Sequence, residues 1–280
     1  MSARTVEPLA SEDAGLLRAF LTRDATHNMY ALGILEEFGI APHAGRAFWG
    51  RFWGRDLAAV LFVGGEGGLL VPSASDPQEI AAIAEEVSGH GTLKLRAALG
   101  EKNAVDGLMK HFCPDRPRVS RTYKLYTVTA DDLGPFTNPS LRLAREGDLP
   151  QLVELAAAAV REQIDRDPLR EDPEGFKARV AQRVRGKRTY VLVDERKRLV
   201  FKVDVGSRSQ YGAELEGLYT VPEERGSDQA TLSLGQISRF LLSSLPRLTL
   251  RVDDRDPWLA AVARKVGYAP GKSCRLVVRE

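Results

Sequence analysis

The stretch that decides the fold is Glu214-Leu215-Glu216-Gly217-Leu218-Tyr219-Thr220-Val221-Pro222-Glu223-Glu224-Arg225-Gly226-Ser227-Asp228-Gln229-Ala230. Leu215 and the run 218–221 predict a strand, and Pro222 and Gly226 interrupt that pattern. A helical run follows, because apolar residues then recur at helical spacing. A turn that opens a helix directs free N–H groups and the positive end of the helix dipole at one point, where a phosphate can bind. The recurring apolar residues are Ala230, Leu234, Ile237 and Leu241.

This order of residues resembles the acetyl-CoA motif of the GNAT acyltransferases. In that motif a strand ends near a proline and is followed by Arg or Gln, two residues, Gly, one residue, and Gly or Ala. Arg225 and Ala230 fill the first and last places, and Pro222 precedes them. The middle glycine is replaced by Asp228. The resemblance extends from residue 141 onward, where the predicted order is strand, two helices, three strands, helix, strand, helix and strand.

The first half of the chain repeats the opening pattern of the second half. Residues 4–9 predict a strand that leads through Ser11-Glu12-Asp13 into a helix, and residues 141–144 lead through Glu146-Gly147-Asp148 into another. Acidic residues at a helix start are stabilised by the dipole, so part of this likeness is generic. We interpret the rest as an internal duplication. The predicted fold class is therefore α+β, with two tandem GNAT-like units, each a mixed and mostly antiparallel sheet flanked by helices.

The predicted boundary between the units lies in residues 131–139, which are rich in Gly and Pro. Residues 1–139 would form a degenerate N-terminal GNAT-like domain without the coenzyme turn. This domain would shape a substrate cleft or an interface. Residues 140–280 would form the acetyltransferase-like domain. In the first half, Arg and Trp alternate over residues 46–56. This pattern fits a hairpin with an aromatic core face better than a surface that stacks on nucleic acid. The glycines at 64–68 predict a hairpin turn, because a strand and not a helix follows them.

Composition excludes several other classes of protein. The 280 residues carry a formal net charge of +2, which gives no basic field for nucleic acid. No apolar run is long enough to span a bilayer, and the N-terminus lacks a signal-peptide core. The two cysteines, Cys113 and Cys274, are far apart, so we expect no disulfide framework and a cytoplasmic location. The four histidines match no metal spacing, so no metal is expected.

The resemblance implies acetyl-CoA, or another short acyl-CoA, as co-substrate. A primary amine on a small molecule or a protein would attack the thioester directly, without a covalent enzyme intermediate. Backbone groups of the strand would contact the acyl and pantetheine parts, and amides of the turn would hold the pyrophosphate. The strand residues are Leu218, Tyr219 and Thr220, and the turn residues are Arg225, Gly226, Ser227, Asp228, Gln229 and Ala230.

The candidate catalytic residues are two glutamates on the same strand. Glu214 and Glu216 share one face at strand spacing, while Leu215 points to the other. Glu216 would accept or relay the amine proton, and Glu214 would attract the cationic substrate. The alternative is a solvated strand face without a catalytic role. Asp204 on the neighbouring strand is a further candidate for this cluster.

Two departures from the motif favour a rival function. The carboxylate of Asp228 would repel a pyrophosphate, and it could satisfy the amides that the coenzyme needs. The resemblance also implies a tyrosine that protonates the leaving thiolate, but its position holds Ala263, which is predicted to face the core. Tyr211, Tyr219 or Tyr268 could substitute. The rival is a catalytically degenerate GNAT-fold module that acts through a protein partner.

Overall fold

The computed structural model describes residues 4–40, 45–64, 68–89, 96–112 and 117–279. The strands are β1 (Arg4–Pro8), β2 (Ala47–Trp53), β3 (Asp56–Gly64), β4 (Leu69–Ala74), β5 (Ala97–Glu101), β6 (Val119–Val128), β7 (Arg142–Leu143), β8 (Thr189–Val193), β9 (Leu199–Ser209), β10 (Gly212–Thr220), β11 (Leu248–Asp253) and β12 (Ala269–Val278). The helices are α1 (Ala14–Thr22), α2 (Met29–Phe38), α3 (Pro77–Gly89), α4 (Lys102–Phe112), α5 (Leu149–Ile164), α6 (Pro168–Glu171), α7 (Pro173–Arg185), α8 (Gln229–Leu242) and α9 (Pro257–Val266).

The chain divides into two compact units, and the division differs from the predicted one at residue 139. The first unit contains Met1–Leu125 together with Lys272–Glu280, and the second contains Tyr126–Gly271. The physical reason lies in two segments. Residues 131–139 pack within the second unit, and residues 274–278 of β12 pair with β5 of the first unit.

In the first unit the sheet order is β1-β2-β3-β4-β5-β12. The pairs from β1 to β4 are antiparallel, β4 and β5 are parallel, and β12 is antiparallel to β5. Buried residues of α3 and α4, such as Ile83 and Leu108, pack on the sheet residues Ala59, Leu61 and Leu70. The antiparallel hairpins, the parallel pair and the covering helices give the mixed, mostly antiparallel sheet that the sequence predicted.

The predicted aromatic hairpin is present in β2 and β3. Phe48 is buried, and the centroid of its ring lies 4.9 Å from that of Phe62. Trp49 packs against the core, whereas Trp53 is 46% exposed and carries the guanidinium of Arg4 over its ring. The core interpretation therefore holds for the first two aromatic residues, but Trp53 lies at the surface.

In the second unit the sheet order is β6-β11-β10-β9-β8-β7, where β6 contributes only its residues 126–128. Strand β10 is parallel to β11 and antiparallel to β9. Helices α8 and α9 pack on one face of this sheet, and α5 and α7 pack on a second cluster. Helix α9 has the predicted termini: the side chain of Asp256 accepts from the N–H of Leu259 at 2.8 Å, and Gly267 ends the helix with φ +116°. The predicted fold class is confirmed.

The segment predicted as a linker is instead a packed strap over α8 and α9. Phe136 contacts the core, and the N–H of Gly134 donates to the carbonyl of Val266 at 2.9 Å. A Cβ on Gly235 of α8 would lie 2.5 Å from the carbonyl oxygen of Phe136, so only glycine allows this approach. The Gly and Pro content that suggested a linker therefore reflects close packing.

Some sequence predictions fall outside the described residues. The turn between β3 and β4 is one of them, although Gly64 and Leu69 on either side of it form an antiparallel pair. His43, His90 and Cys113 are others. Within the described ranges, Cys274 is a buried free cysteine, and no group of three potential metal ligands is present. In the same ranges no helix combines the length and the apolar character that a bilayer crossing needs.

Candidate active site

Strand β10 separates from its parallel neighbour halfway along its length. Ala213, Glu214 and Leu215 pair with residues 248–250 of β11, and β10 then continues to Thr220 along β9, with no further β11 pair in the described ladder. A bulge lies between Glu216 and Tyr219, where Gly217 has φ +54°. Lys202 of β9 holds the bulge, because its Nζ donates to the carbonyl of Gly217 at 2.6 Å. The second half of β10 therefore has an edge that no β11 residue covers.

The turn after β10 leads directly into α8. A 3-10 turn spans Pro222–Glu224, and α8 begins at Gln229 with Asp228 as its N-cap. The Oγ of Ser227 accepts from the N–H of Gln229 at 3.4 Å. The next N–H groups of α8 have no acceptor within the helix, since the first turn of a helix has none. The end of β10 and the N-terminus of α8 thus bring backbone groups together as the sequence predicted.

Asp228 does not occupy the helix amides, and that prediction is wrong. Its carboxylate, 70% exposed, pairs with Nζ of Lys265 at 2.7 Å and makes no capping hydrogen bond. Its φ and ψ of −77° and 1° are not extended, whereas a capping side chain reaches the amides from an extended residue. The carboxylate of Asp228 is therefore bound by Lys265 of α9 and does not accept hydrogen bonds from the amides of the turn.

Arg225 folds back against the end of β10. Its Nε donates to the carbonyl of Thr220 at 3.1 Å, and its Nη2 pairs with Glu162 of α5 at 2.7 Å. The guanidinium lies 5.3 Å from the ring centroid of Tyr219 and 5.7 Å from that of Trp258. The Nε1 of Trp258 donates to the carbonyl of Arg225 at 2.9 Å. Groups from α5 and α9 therefore fix the turn that the motif predicts for the coenzyme.

The two candidate glutamates lie in different environments. Glu214 is only 1% exposed and pairs with Nη1 of Arg251 at 2.5 Å, while its Oε2 has no partner. Burial raises the pKa of Glu214 to about 7, and the charge of Glu216 adds to this rise while Arg251 opposes it. The side chain of Glu216 is 28% exposed and pairs with Nη2 of Arg183 at 2.5 Å. Glu216 can therefore be reached from solvent, and Glu214 cannot.

Asp204 joins the cluster, as the sequence suggested. It lies opposite Glu216 in the β9–β10 ladder and accepts from Lys202 at 2.8 Å, Arg183 at 3.0 Å and Thr189 at 2.6 Å. Burial alone would raise the pKa of Asp204, but Lys202 and Arg183 outweigh it and the pKa lies below its usual value. The cations of this cluster, Lys202 and Arg183, were not predicted from the sequence. Alternation of Lys202 and Asp204 within an otherwise apolar strand was the available signal.

Two of the three tyrosines considered as the acid for the leaving thiolate are held in the core. The third, Tyr211, is half-buried in the turn between β9 and β10, at the opposite end of β10 from its open edge. Ala263 is fully buried, as predicted. Tyr268 is buried with its hydroxyl 2.7 Å from Oγ of Ser238, and burial raises its pKa well above the usual value. Burial also raises the pKa of Tyr219, whose ring lies beneath Arg225. Neither tyrosine presents an available phenol at the open edge of β10.

A groove of about 610 Å³ borders the N-terminus of α8. The β8–β9 turn contributes acidic and basic residues to it, and Glu224 and Gln229 also line it. Arg198 is paired with Asp194 at 2.8 Å, and Arg196 lines the same groove. Basic residues of the β8–β9 turn therefore lie beside the predicted pyrophosphate turn.

No family model and no curated protein matches the chain. Solved structures do. A GCN5-related N-acetyltransferase from Sphaerobacter thermophilus is 14% identical with a TM-score of 0.61, over 98% of this chain and 94% of its own. A tandem GNAT protein from the clavulanic acid biosynthesis pathway is 13% identical with a TM-score of 0.56, over 98% of both chains. A GNAT-family acetyltransferase from Colwellia psychrerythraea is 12% identical with a TM-score of 0.56, over 99% and 100%.

These similarities extend over nearly the whole chain, including both units. At such low identity they establish the fold and not the activity. The chain therefore has the fold of the tandem GNAT acetyltransferases, as the motif around Arg225 predicted.

Proposed function

We propose that the second unit is an N-acyltransferase that moves an acetyl or other short acyl group from coenzyme A to a primary amine. The observation that carries this proposal is the separation of β10 from β11 beyond Leu215, next to the N-terminus of α8. The uncovered strand edge offers backbone groups to an extended ligand arm, and the helix N-terminus offers amides and a positive dipole to a phosphate. The acceptor is an amine-bearing small molecule or protein, and the two distant cysteines fit a reducing compartment such as the cytoplasm.

The residues present fit a coenzyme A ligand. Nothing lies within 4 Å of a Cβ placed on Gly226, so the backbone there is open to close approach. Because Asp228 is turned to Lys265, its carboxylate does not block the amides of Gln229 and Ala230. Thr220 is 1% exposed, and its Oγ1 has no partner at the end of β10. A ligand in the turn would be held by residues 225–230, and its arm by the backbone of Leu218, Tyr219 and Thr220.

Acyl-CoA supplies an activated thioester, whose carbonyl carbon forms a bond to the amine nitrogen while the carbon–sulfur bond breaks. Glu216 accepts the proton that the amine loses, directly or through water, because its carboxylate is partly exposed. Glu214 is buried two residues before Glu216 on β10 and has a pKa of about 7. The total charge of the two glutamates therefore varies near neutral pH. A backbone N–H of the β10 edge would stabilise the negative charge on the carbonyl oxygen. Water protonates the leaving thiolate, since the phenols of Tyr219 and Tyr268 are buried.

The test combines binding and turnover in the full chain. Acetyl-CoA is titrated by calorimetry, and release of free coenzyme A is followed with a panel of primary amines at several pH values. Glu216→Gln should lower kcat/KM by about 10²–10⁴-fold at neutral pH and leave the acetyl-CoA Kd within a few-fold. The loss should shrink at high pH, where the amine is already neutral. Glu223→Gln, an exposed glutamate of the same segment, is the matched control. An unchanged pH–rate profile in Glu216→Gln would remove this residue from the mechanism.

The second candidate function is a binding module that acts through a protein partner. The contacts of Arg225 with Glu162 and Trp258 favour it, because they fix the turn without any ligand. The same titration separates the two functions. If neither the wild type nor Glu162→Gln, which releases Arg225, binds acetyl-CoA, the module is favoured and the enzyme is rejected.

A further inference from the structure

The first unit contains a polar cavity of about 280 Å³ that the proposed acyl transfer does not use. It is bounded by the end of β4, the end of β5 and the segment that joins α1 to α2. In the described ladder β4 and β5 pair only through Leu69–Ala97 and Leu70–Ala98, and the cavity lies where β4 continues past these pairs. Asn28 fixes the connecting segment, because its Oδ1 accepts from Oγ of Ser73 on β4 at 2.7 Å.

His27 lines this cavity and carries an acceptor without a partner. Its side chain is 8% exposed, its Nδ1 lies 3.4 Å from Oδ2 of Asp24, and its buried Nε2 has no partner. Burial lowers the pKa of His27 below its usual value, although Asp24 opposes this shift, so the ring is neutral at pH 7. A neutral imidazole that directs its N–H at Asp24 carries a lone pair on Nε2. A buried acceptor without a hydrogen bond is unfavourable, and a ligand donor would remove that cost.

The cavity also contains charges of both signs. Lys272 pairs with Asp24 at 2.8 Å and so holds the partner of His27 in place. Arg23 lies 5.4 Å from the ring of Phe20, and neither Arg23 nor Glu101 forms an ion pair in the described part of the chain. With a neutral His27, the two cations and two carboxylates balance. A ligand that carries one positive and one negative group would keep this balance, whereas a singly charged ligand would not.

The nearby helix start disfavours a coenzyme as the occupant. Helix α3 begins beside the cavity, and Oδ1 of Asp76 accepts from the N–H of Gln78 in its first turn at 2.9 Å. The aspartate charge would also oppose a pyrophosphate at that helix end. No arginine–glycine turn precedes the helix.

We propose that this cavity binds a free amino acid. Arg23 pairs with its carboxylate, Glu101 pairs with its ammonium group, and Nε2 of His27 accepts a hydrogen bond from the ammonium. The remaining polar atoms of the cavity wall, around Ser73, would select the side chain. This inference does not depend on the acyltransferase proposal, since all of its residues belong to the first unit.

The experiment uses the full chain and the twenty free L-amino acids as probes at up to about 10 mM. Thermal shift identifies binders, and saturation-transfer NMR confirms them. For each binder, the amine that lacks the carboxylate and the N-acetyl derivative that lacks the ammonium are tested beside it. At least one amino acid should bind, and both analogues should bind at least tenfold more weakly. Absence of any binder, or equal binding of either analogue, would overturn the proposal.

Variants locate the site. Arg23→Gln and Glu101→Gln should each weaken binding at least tenfold, and Arg18→Gln, an exposed arginine paired with Glu36 on the same unit, should leave it unchanged. His27→Gln should weaken binding, and His111→Gln should leave it unchanged, since His111 is an exposed histidine of the same unit. In the wild type the ¹⁵N shift of the His27 Nε2 should move on binding, which reports directly on this atom. Binding that survives both Arg23→Gln and Glu101→Gln would place the ligand elsewhere and overturn the assignment.

Discussion

Replacing Glu214 by glutamine should stabilise the protein at pH 8 relative to the wild type and have little effect at pH 5. Glu214 is fully buried, with one carboxylate oxygen paired to Arg251 and the other without a partner. Burial raises its pKa from an ordinary 4.5 to about 7. Because the folded pKa lies above the unfolded one, the folded state holds this proton more tightly than the unfolded chain does. The resulting stability is complete below about pH 4.5 and is lost as the pH rises through 7.

The magnitude follows from the two pKa values. A pKa difference of this size corresponds to about 3 kcal/mol at 1.36 kcal/mol for each unit, and between pH 5 and pH 8 about 2.5 kcal/mol of it is realised. Glutamine carries no proton to lose, so the variant lacks this pH dependence. At pH 5 the glutamine is a close mimic, because Arg251 already faces a neutral carboxyl there. The variant should therefore gain about 2–3 kcal/mol relative to the wild type between the two pH values.

Urea unfolding of both proteins at pH 5, 6, 7 and 8 measures this gain, with circular dichroism and tryptophan fluorescence as independent probes of a single transition. Glu223→Gln, an exposed glutamate after the same strand, is the control and should run parallel to the wild type. If Glu214→Gln also runs parallel, Glu214 is ionised throughout this range. The charge of Arg251 would then outweigh burial, and the proposed role of Glu214 near neutral pH would fail.

Three further predictions concern the second unit. Asp204→Asn leaves the buried Lys202 without its carboxylate and should cost about 3–5 kcal/mol in urea unfolding at pH 7. Asp228→Asn, in an exposed pair, should cost less than about 1 kcal/mol, and equal losses would contradict the burial argument. Asp228→Gly should tighten acetyl-CoA binding in calorimetry by less than about tenfold, because Lys265 already neutralises the carboxylate; weaker binding would refute this. Gly235→Ala should lower stability by about 1–3 kcal/mol through its clash with the strap, and Gly226→Ala, with open space around it, is the control.

The sequence predicted the elements of the candidate site well, because each rests on a local signal. Each signal depends only on residues a few positions away in the sequence. These signals are the strand at 215–221, the proline, the helix stripe and the Asp256 cap. What the sequence could not show were contacts between distant elements. Asp228 was assigned to its own helix, but Lys265 on another helix holds it. Glu214 and Glu216 were given one environment, but Arg251 and Arg183 make their environments different.

The same distinction explains the difference in the division of the chain. Residues 131–139 have the composition of a linker, and only the approach of Phe136 to Gly235 reveals them as packed. No site was predicted in the first unit, because Glu101 and Lys272 are distant along the chain from Arg23 and His27, and the four residues match no motif. The available signal was an aspartate, Asp24, three residues before His27, and such pairs are common.

The strand pairing of β12 with β5 affects the order in which the chain can fold. Residues 274–278 complete the sheet of the first unit, although that unit begins at the other end of the sequence. During synthesis, the edge of β5 in the first unit stays unpaired until these residues leave the ribosome. The second unit is continuous in sequence and can fold before the first unit is complete. An unpaired edge that persists during synthesis is a site for mispairing between nascent chains. Removal of residues 272–280 would therefore cause aggregation through the first unit, even though the residues of the candidate active site would all remain.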